Sequence, residues 1–153
     1  MSAIPEGFTS VTPFVVFDDT FKAVEFYKKA LGAEEKLTFP APDGTLIYAE
    51  IQIGTARLMM GAPCPTTGAE ATKSAKAMGG SPISFYVYVE NVEAAFEKAK
   101  GAGMKEKKGI KDMFWGDRMG TLTDPFEVEW TIAQHIRDVS PEEMQEAMKE
   151  MCA

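Results

Sequence analysis

The side chains best suited to chemistry in this chain are few, and none completes a catalytic set. Two glutamates, Glu50 and Glu129, stand inside strand-like stretches. A carboxyl group there serves as a general base only where burial raises its pKa towards neutrality; paired with a cation such as Arg57 it is structural instead. Trp115-Gly116-Asp117-Arg118 is a second constellation. Glycine permits a tight turn, aspartate bonds nearby backbone amides, and a guanidinium is a planar fork for a carboxylate. These residues describe either a loop over a binding site, with Trp115 stacking on a ligand and Arg118 gripping an anion, or a turn held by an Asp–Arg pair with a packed tryptophan. The single histidine, His135, titrates near neutral pH if exposed, yet a lone histidine at a strand end is more often a bystander. Cys64, flanked by prolines, and Cys152, penultimate, make neither a disulfide framework nor a metal cluster.

Composition bounds what these residues can serve. At 153 residues, with 45% hydrophobic and 25% charged, the chain suits one folded domain with a substantial core. Its longest apolar runs, such as Val15-Val16-Phe17 and Leu58-Met59-Met60, are strand-sized, far short of the roughly 18–20 residues of a membrane span. The N-terminus lacks a basic region followed by an apolar stretch, so a cytoplasmic protein is expected. A net charge of −7 disfavours nucleic acid as a partner. The one basic run, Lys105-Glu106-Lys107-Lys108, is interrupted by an acid and sits beside Gly109, which reads as a solvated loop more than a binding patch.

The elements that position these residues come in two similar sets. Val15-Val16-Phe17-Asp18-Asp19 closes an apolar run with acids, and a helical pattern follows from Phe21 to Leu31, stopped by Gly32. Val87-Tyr88-Val89-Glu90-Asn91 does the same before a helical pattern from Val92 to Lys100, stopped at Gly101 and Gly103. The caps suit a helix start and a left-handed stop. One apolar face holds Phe21, Val24, Tyr27 and Leu31; its counterpart holds Val92, Ala95, Phe96 and Ala99. Three strand-like runs follow each helix: Glu34–Phe39, Leu46–Ile53 and Ala56–Gly61, then Lys105–Lys108, Arg118–Thr123 and Val128–Ala133. Both halves read β-α-β-β-β: module one spans about residues 9–62 and module two about 82–135. The linker, 63–81, has room for a short helix around Ala69–Met78. Ser140-Pro141-Glu142-Glu143 carries a capping-box signature for a final helix over about 140–151, whose Met144, Met148 and Met151 line one face for packing on the domain or a partner subunit.

Two such modules resemble the glyoxalase, bleomycin-resistance and extradiol-dioxygenase (vicinal oxygen chelate) superfamily. Several phrases resemble its PhnB-like branch: Val11-Thr12-Pro13-Phe14 with Asp18-Asp19, Phe26-Tyr27-Lys28-Lys29-Ala30-Leu31-Gly32-Ala33-Glu34, and Tyr48-Ala49-Glu50-Ile51. Phe114-Trp115-Gly116-Asp117-Arg118, Asp124-Pro125-Phe126 and the tail Asp138-Val139-Ser140-Pro141-Glu142-Glu143-Met144 complete the set. The resemblance implies an α+β fold in which two βαβββ modules form a curved eight-stranded mixed sheet with a concave cleft, commonly in a homodimer. It also implies a divalent metal held by His, Glu or Gln from both modules.

In this chain the corresponding positions hold Thr12, Met59, Ser84 and Thr131, none a usual ligand for a hard divalent cation. The branch's two histidine places hold Tyr48 and Val128, and Glu127 replaces a turn glycine. No metal and no cofactor are therefore expected. Strand alternation from those positions puts Phe14, Tyr48, Glu50, Arg57, Met59, Tyr86, Tyr88 and Glu129 on the cleft side, with Trp115 and Arg118 at its mouth. Such aromatic walls with a few polar groups suit a small-molecule pocket, although the same rings also suit a filled barrel. The leading expectation is a metal-free protein that binds a small, partly aromatic or amphipathic molecule. One alternative is a glyoxalase-like lyase or isomerase, or a dioxygenase-like enzyme, with a non-standard metal site or Glu50 as base. Another is an interaction protein with a vestigial cleft. No catalytic residue is assigned.

Overall fold

The computed structural model describes residues 1–63 and 73–152. Module one runs β1 (Phe14–Val16), α1 (Thr20–Leu31), β2 (Glu34–Pro40), β3 (Leu46–Ile53) and β4 (Ala56–Gly61). A short α2 (Ala75–Met78) precedes module two: β5 (Ser84–Tyr88), α3 (Val92–Ala102), β6 (Lys105–Asp112), β7 (Asp117–Thr123) and β8 (Glu129–His135). Helix α4 (Pro141–Cys152) follows. The fold is α+β, β-α-β-β-β twice over.

Each module builds a four-stranded mixed sheet, ordered β1-β4-β3-β2 and β5-β8-β7-β6. The first and last strand of each module pair in parallel, and the other neighbours are antiparallel. The eight strands thus form two sheets: β1 and β5 are edge strands that share no ladder. What joins the halves is side-chain packing. Helix α1 lies against α3, and Tyr27 of α1 packs its ring on Trp130 and Phe126 of module two. The Tyr27 hydroxyl donates to Asp124 Oδ2 at 2.5 Å, and the same oxygen accepts from Trp130 Nε1 at 2.9 Å. The other Asp124 oxygen takes the backbone N–H groups of Phe126 and Val128. One buried carboxylate therefore shapes the β7–β8 turn and ties it to the opposite module. Burial pushes the Asp124 carboxyl above its ordinary range.

Local chemistry explains the element ends. Asp19 and Asn91 cap α1 and α3 by accepting the N–H of Lys22 and Ala94, and Gly32 and Gly103 close them in the left-handed region. Gly101 lies within α3, so only Gly103 stops that helix. The buried stripe of α1 is Thr20, Ala23, Val24, Tyr27 and Ala30; Phe21, expected inside, is 56% exposed because the stripe drifts towards Thr20. The basic run around Lys107 is an exposed edge strand, β6, extending to Asp112. Lysines on an edge discourage pairing with other chains. Of the helix expected around Ala69–Met78, residues 75–78 are helical, while 69–72 and Cys64 lie outside the described residues.

At α4, Ser140 accepts the Glu143 N–H, but the Glu143 carboxylate turns to Arg137 instead of closing the capping box. None of its residues is buried, so Met148 and Met151 do not pack on this chain. Among the described residues no helix is long and apolar enough to cross a membrane.

Candidate functional site

Alternation along the strands divides each sheet into a helix-side face and an open one. Ala49, Ile51, Leu58, Met60, Trp130 and Ile132 fill the core beneath the helices. The residues between them in sequence face away.

On the open face of module one, Phe14 pairs with Met59, and Met59 with Glu50. Glu50 Oε2 accepts from Arg57 Nη1 at 3.2 Å, and Oε1 accepts from the Tyr48 hydroxyl at 3.0 Å. Burial, then the bond to Glu50, pushes the Tyr48 phenol up to about 12, which keeps it protonated and donating. The Tyr48 ring stacks on Phe39 at 5.9 Å and lies 6.2 Å from Phe14. The N-terminal segment crosses this face. The Phe8 ring lies 5.0 Å from the Arg57 guanidinium carbon, a cation–π contact. Gly7 (φ 83°) passes so close that a Cβ there would sit 2.5 Å from Arg57 Nη2. Arg57 Nε is buried without a partner.

Module two is built differently. Tyr86 and Tyr88 of β5 stand opposite Thr131 and Ala133 of β8, and β7 lies one strand further. Both hydroxyls nevertheless donate to Asp117 Oδ2 at the start of β7, at 2.7 and 2.8 Å. Strands two places apart are about 10 Å apart. The rings must therefore reach across β8, and the small Thr131 and Ala133 give them room. Ala133 is fully buried yet lies outside the helix-side core, as expected beneath a covering ring.

Asp117, only 2% exposed, also takes His135: Nδ1 lies 2.9 Å from Oδ1, while Nε2 lies 2.8 Å from Asp138 Oδ1. Burial pushes the Asp117 carboxyl up, but the bonds from His135, Tyr86 and Tyr88 outweigh it, and its pKa falls below the ordinary value. The His135 pKa rises, through Asp138 first and Asp117 next. Burial raises the Tyr86 phenol to about 12, the Trp115 N–H partly opposing and Asp117 adding to the rise. Trp115 Nε1 lies 3.4 Å from the Tyr86 oxygen, and its ring meets Phe114 edge-on.

The ten expected cleft residues thus fall into groups. Phe14, Tyr48, Glu50, Arg57 and Met59 share the open face of module one; Tyr86, Tyr88 and Trp115 share that of module two. Glu129 is on the latter face but at its far end, salt-bridged to Lys107. Arg118 does not join them. Alternation in β7 puts it on the helix side, bonded to Asp112 of β6 and Glu93 of α3. The Asp–Arg pair of this turn is therefore Asp112–Arg118, which leaves Asp117 free for the open face. Gly116 (φ 98°) is required there, because a Cβ would lie 2.1 Å from the Arg137 carbonyl oxygen. Sequence reasoning missed Asp117 and His135 as site residues. The available signal was alternation from Thr131 through Ala133 to His135, whose partner across the β7–β8 ladder is Asp117.

This donor set does not fit the family's divalent metal. Each open-face carboxylate already has partners: Glu50 holds Arg57 and Tyr48, Glu129 holds Lys107, and Asp117 holds two phenols and His135. Asp117 and Asp138 occupy opposite nitrogens of one imidazole, so the three cannot converge on one ion. Among the described residues no group of three His, Cys, Asp or Glu could hold a metal ion.

Comparison with known proteins places the chain. It is 34% identical over 139 residues to an uncharacterized protein of Mycobacterium bovis, covering 91% of both chains. Its fold resembles that of TioX from Micromonospora sp. ML1 (TM-score 0.65, 20% identity, 86% of this chain and 100% of that one). It also resembles a PhnB protein from Bacillus cereus (TM-score 0.59, 16% identity, 82% and 99%). The family model of the Glyoxalase/Bleomycin resistance protein/Dioxygenase superfamily matches residues 9–132. With its two βαβββ modules and that match, the chain belongs to the Glyoxalase/Bleomycin resistance protein/Dioxygenase superfamily.

Proposed function

We propose that this protein binds a small, partly aromatic or amphipathic molecule on its open sheet faces, without a bound metal, as a homodimer whose second copy covers part of those faces. The observation that carries the reading is aromatic surface left open to solvent: Phe14, Phe39, Tyr86 and Tyr88 are all exposed on the helix-free faces. Exposed aromatic clusters, Phe14–Tyr48–Phe39 on one sheet and Tyr86–Tyr88 on the other, are the kind of surface that marks a binding site. The unshared edges of β1 and β5, and the uncovered Met148 and Met151 of α4, support a second copy. The carboxylates committed to Arg57, Lys107, Tyr86, Tyr88 and His135 support the metal-free part. The pairing of Glu50 with Arg57 favours a structural role for that carboxylate over a general base. A PhnB-like branch accompanies the proposal, on the sequence phrases quoted above.

Native mass spectrometry of gently purified protein tests these parts together, with Ni(II), Zn(II), Mn(II) or Fe(II) added in parallel. The expected species is a metal-free dimer, with retained small-molecule mass where ligand is present. Stoichiometric metal would overturn the metal-free reading, and a monomer would overturn the dimer. In a thermal-shift screen, any small-molecule hit should disappear on changing Tyr86 and Tyr88 to Ala; a hit that survives would lie elsewhere.

A further inference from the structure

The two modules meet along a pseudo-symmetric seam whose two ends are filled differently. Aligning the N-caps Asp19 and Asn91 pairs Phe17 with Val89, Phe26 with Lys98 and Tyr27 with Ala99. The turns differ as well. Gly54 and Thr55 reverse the chain beyond the Ile53–Ala56 pair, whereas residues 125–127 reverse it beyond the Asp124–Val128 pair. The longer turn carries Phe126, whose ring lies 5.4 Å from Phe17, 5.7 Å from Phe26 and 5.9 Å from Tyr27. Four rings close the seam at that end, beside a hollow of about 330 Å³.

At the opposite end Val89, Lys98, Ala99 and the Gly54-Thr55 turn supply no ring in those places. Among the described residues a cavity of about 580 Å³ opens there between the modules, within the size range of small-molecule sites. Its depth is apolar. Ala30, Ile53 and Ile132 are buried core residues, and Val87, Val89 and Ala95 are half-buried around them. Ile53 stands where module two has Asp124, so the wall carries no counterpart of that buried carboxylate.

Polar groups sit at the rim. The Val89 N–H donates to the Ala133 carbonyl at 2.8 Å, so the alternate residues Tyr86 and Tyr88 turn their backbone N–H and C=O to the other side. That side is the unshared edge of β5, which borders the cavity. Glu90 and Lys98, both exposed, stand at the mouth with opposite signs, which favours neither an anion nor a cation.

We propose that this inter-module cavity binds a neutral, fused-ring aromatic molecule carrying one hydrogen-bonding substituent. Its rings take the place that Phe126 and the aromatic side chains of module one fill at the other end, and its substituent meets the β5 edge. The site is separate from the open sheet faces, and the inference stands independently of the reading above.

The test is a methyl-resolved NMR titration of the full chain with 2-naphthol. Shifts are expected at the methyl groups of Ile53, Val87 and Ile132, and not at those of Met59 and Met119 on the open faces. Naphthalene, which lacks the hydroxyl, should bind about fivefold more weakly, as loss of one hydrogen bond requires. The anion 2-naphthoate should also bind more weakly than 2-naphthol. Val89→Phe places the module-one residue at its counterpart and should weaken 2-naphthol at least about tenfold by occupying the void. Ala95→Leu, a smaller filling from α3, should act in the same direction. Shifts confined to Met59 and Met119 overturn the cavity site and leave the open-face reading standing. Naphthalene binding as tightly as 2-naphthol overturns the hydrogen bond to the strand edge, and tighter binding of 2-naphthoate overturns the neutral class. Unchanged affinity in both variants, each with wild-type circular dichroism, overturns the proposal, as does the absence of cavity shifts at millimolar 2-naphthol.

Discussion

The two open faces are built on the same backbone and have parted in chemistry. In paired register Phe14 of module one answers to Tyr86, Met59 to Thr131, Glu50 to Thr121 and Arg57 to Glu129. Module one neutralises its carboxylate in place with Arg57 and then lays Phe8 over the guanidinium. Module two has no carboxylate at Thr121, where Lys108 of β6 is the register partner; its carboxylate stands at the end of the sheet, at Asp117, where two phenols and an imidazole converge. The helix-side faces show no such divergence, because Ala49, Ile51, Trp130 and Ile132 are held to apolar chemistry by burial. A duplicated module keeps the face that folds it and is free to change the one that does not.

That contrast can be broken by substitution. Asp117→Ala removes three hydrogen-bond partners at once and should lower stability by about 3 kcal/mol in urea denaturation. Glu50→Ala should cost less, about 2 kcal/mol, because Arg57 keeps its stacking on Phe8. Equal or reversed losses would mean that module one, not module two, carries the more tightly built polar cluster.

A smaller effect sharpens the comparison at the turns. The β3–β4 turn puts Gly54 at positive φ (57°), whereas the β7–β8 turn puts Glu127 there (66°). A side chain in the left-handed region costs roughly 1–2 kcal/mol, partly offset by the added freedom of glycine in the unfolded chain. Glu127→Gly should therefore raise stability by about 0.5 kcal/mol. A loss would show that the Glu127 side chain contributes more than its backbone strain removes.

The mildest effect is on pH dependence. The folded-state pKa of His135 is raised from 6.5, so its contribution is complete below that value and is lost as pH rises through the elevated pKa. Asp117, lowered from 3.8, contributes above that value and loses its contribution as pH falls through the depressed one. Urea midpoints should decline above about pH 6.5, and His135→Gln should flatten that decline, since the chain has one histidine. An unchanged slope in His135→Gln would place the titrating group elsewhere.

The caps, turns and strand alternation were legible because they are local. Asp19 with Gly32, and Asn91 with Gly103, mark helix ends by backbone chemistry within a few residues. Alternation put Tyr48, Glu50, Arg57 and Met59 on one face because a strand permits only two. Arg118 and Asp117 were misread for the opposite reason. They are adjacent and of opposite charge, which suggests a pair, but neighbours in a strand point to opposite faces and cannot form one.

From the residue order alone come the two βαβββ modules, their caps and the division of each strand into an apolar and a polar side. These depend on dihedral preferences and periodicities that act over a few residues. Only the tertiary structure decided that Tyr86 and Tyr88 meet Asp117 across β8, that Asp124 ties the halves through Tyr27, and that Phe8 covers Arg57. Those contacts join residues far apart in the chain, and they depend on strand order and on side-chain size at intervening positions such as Ala133. No local pattern encodes either one.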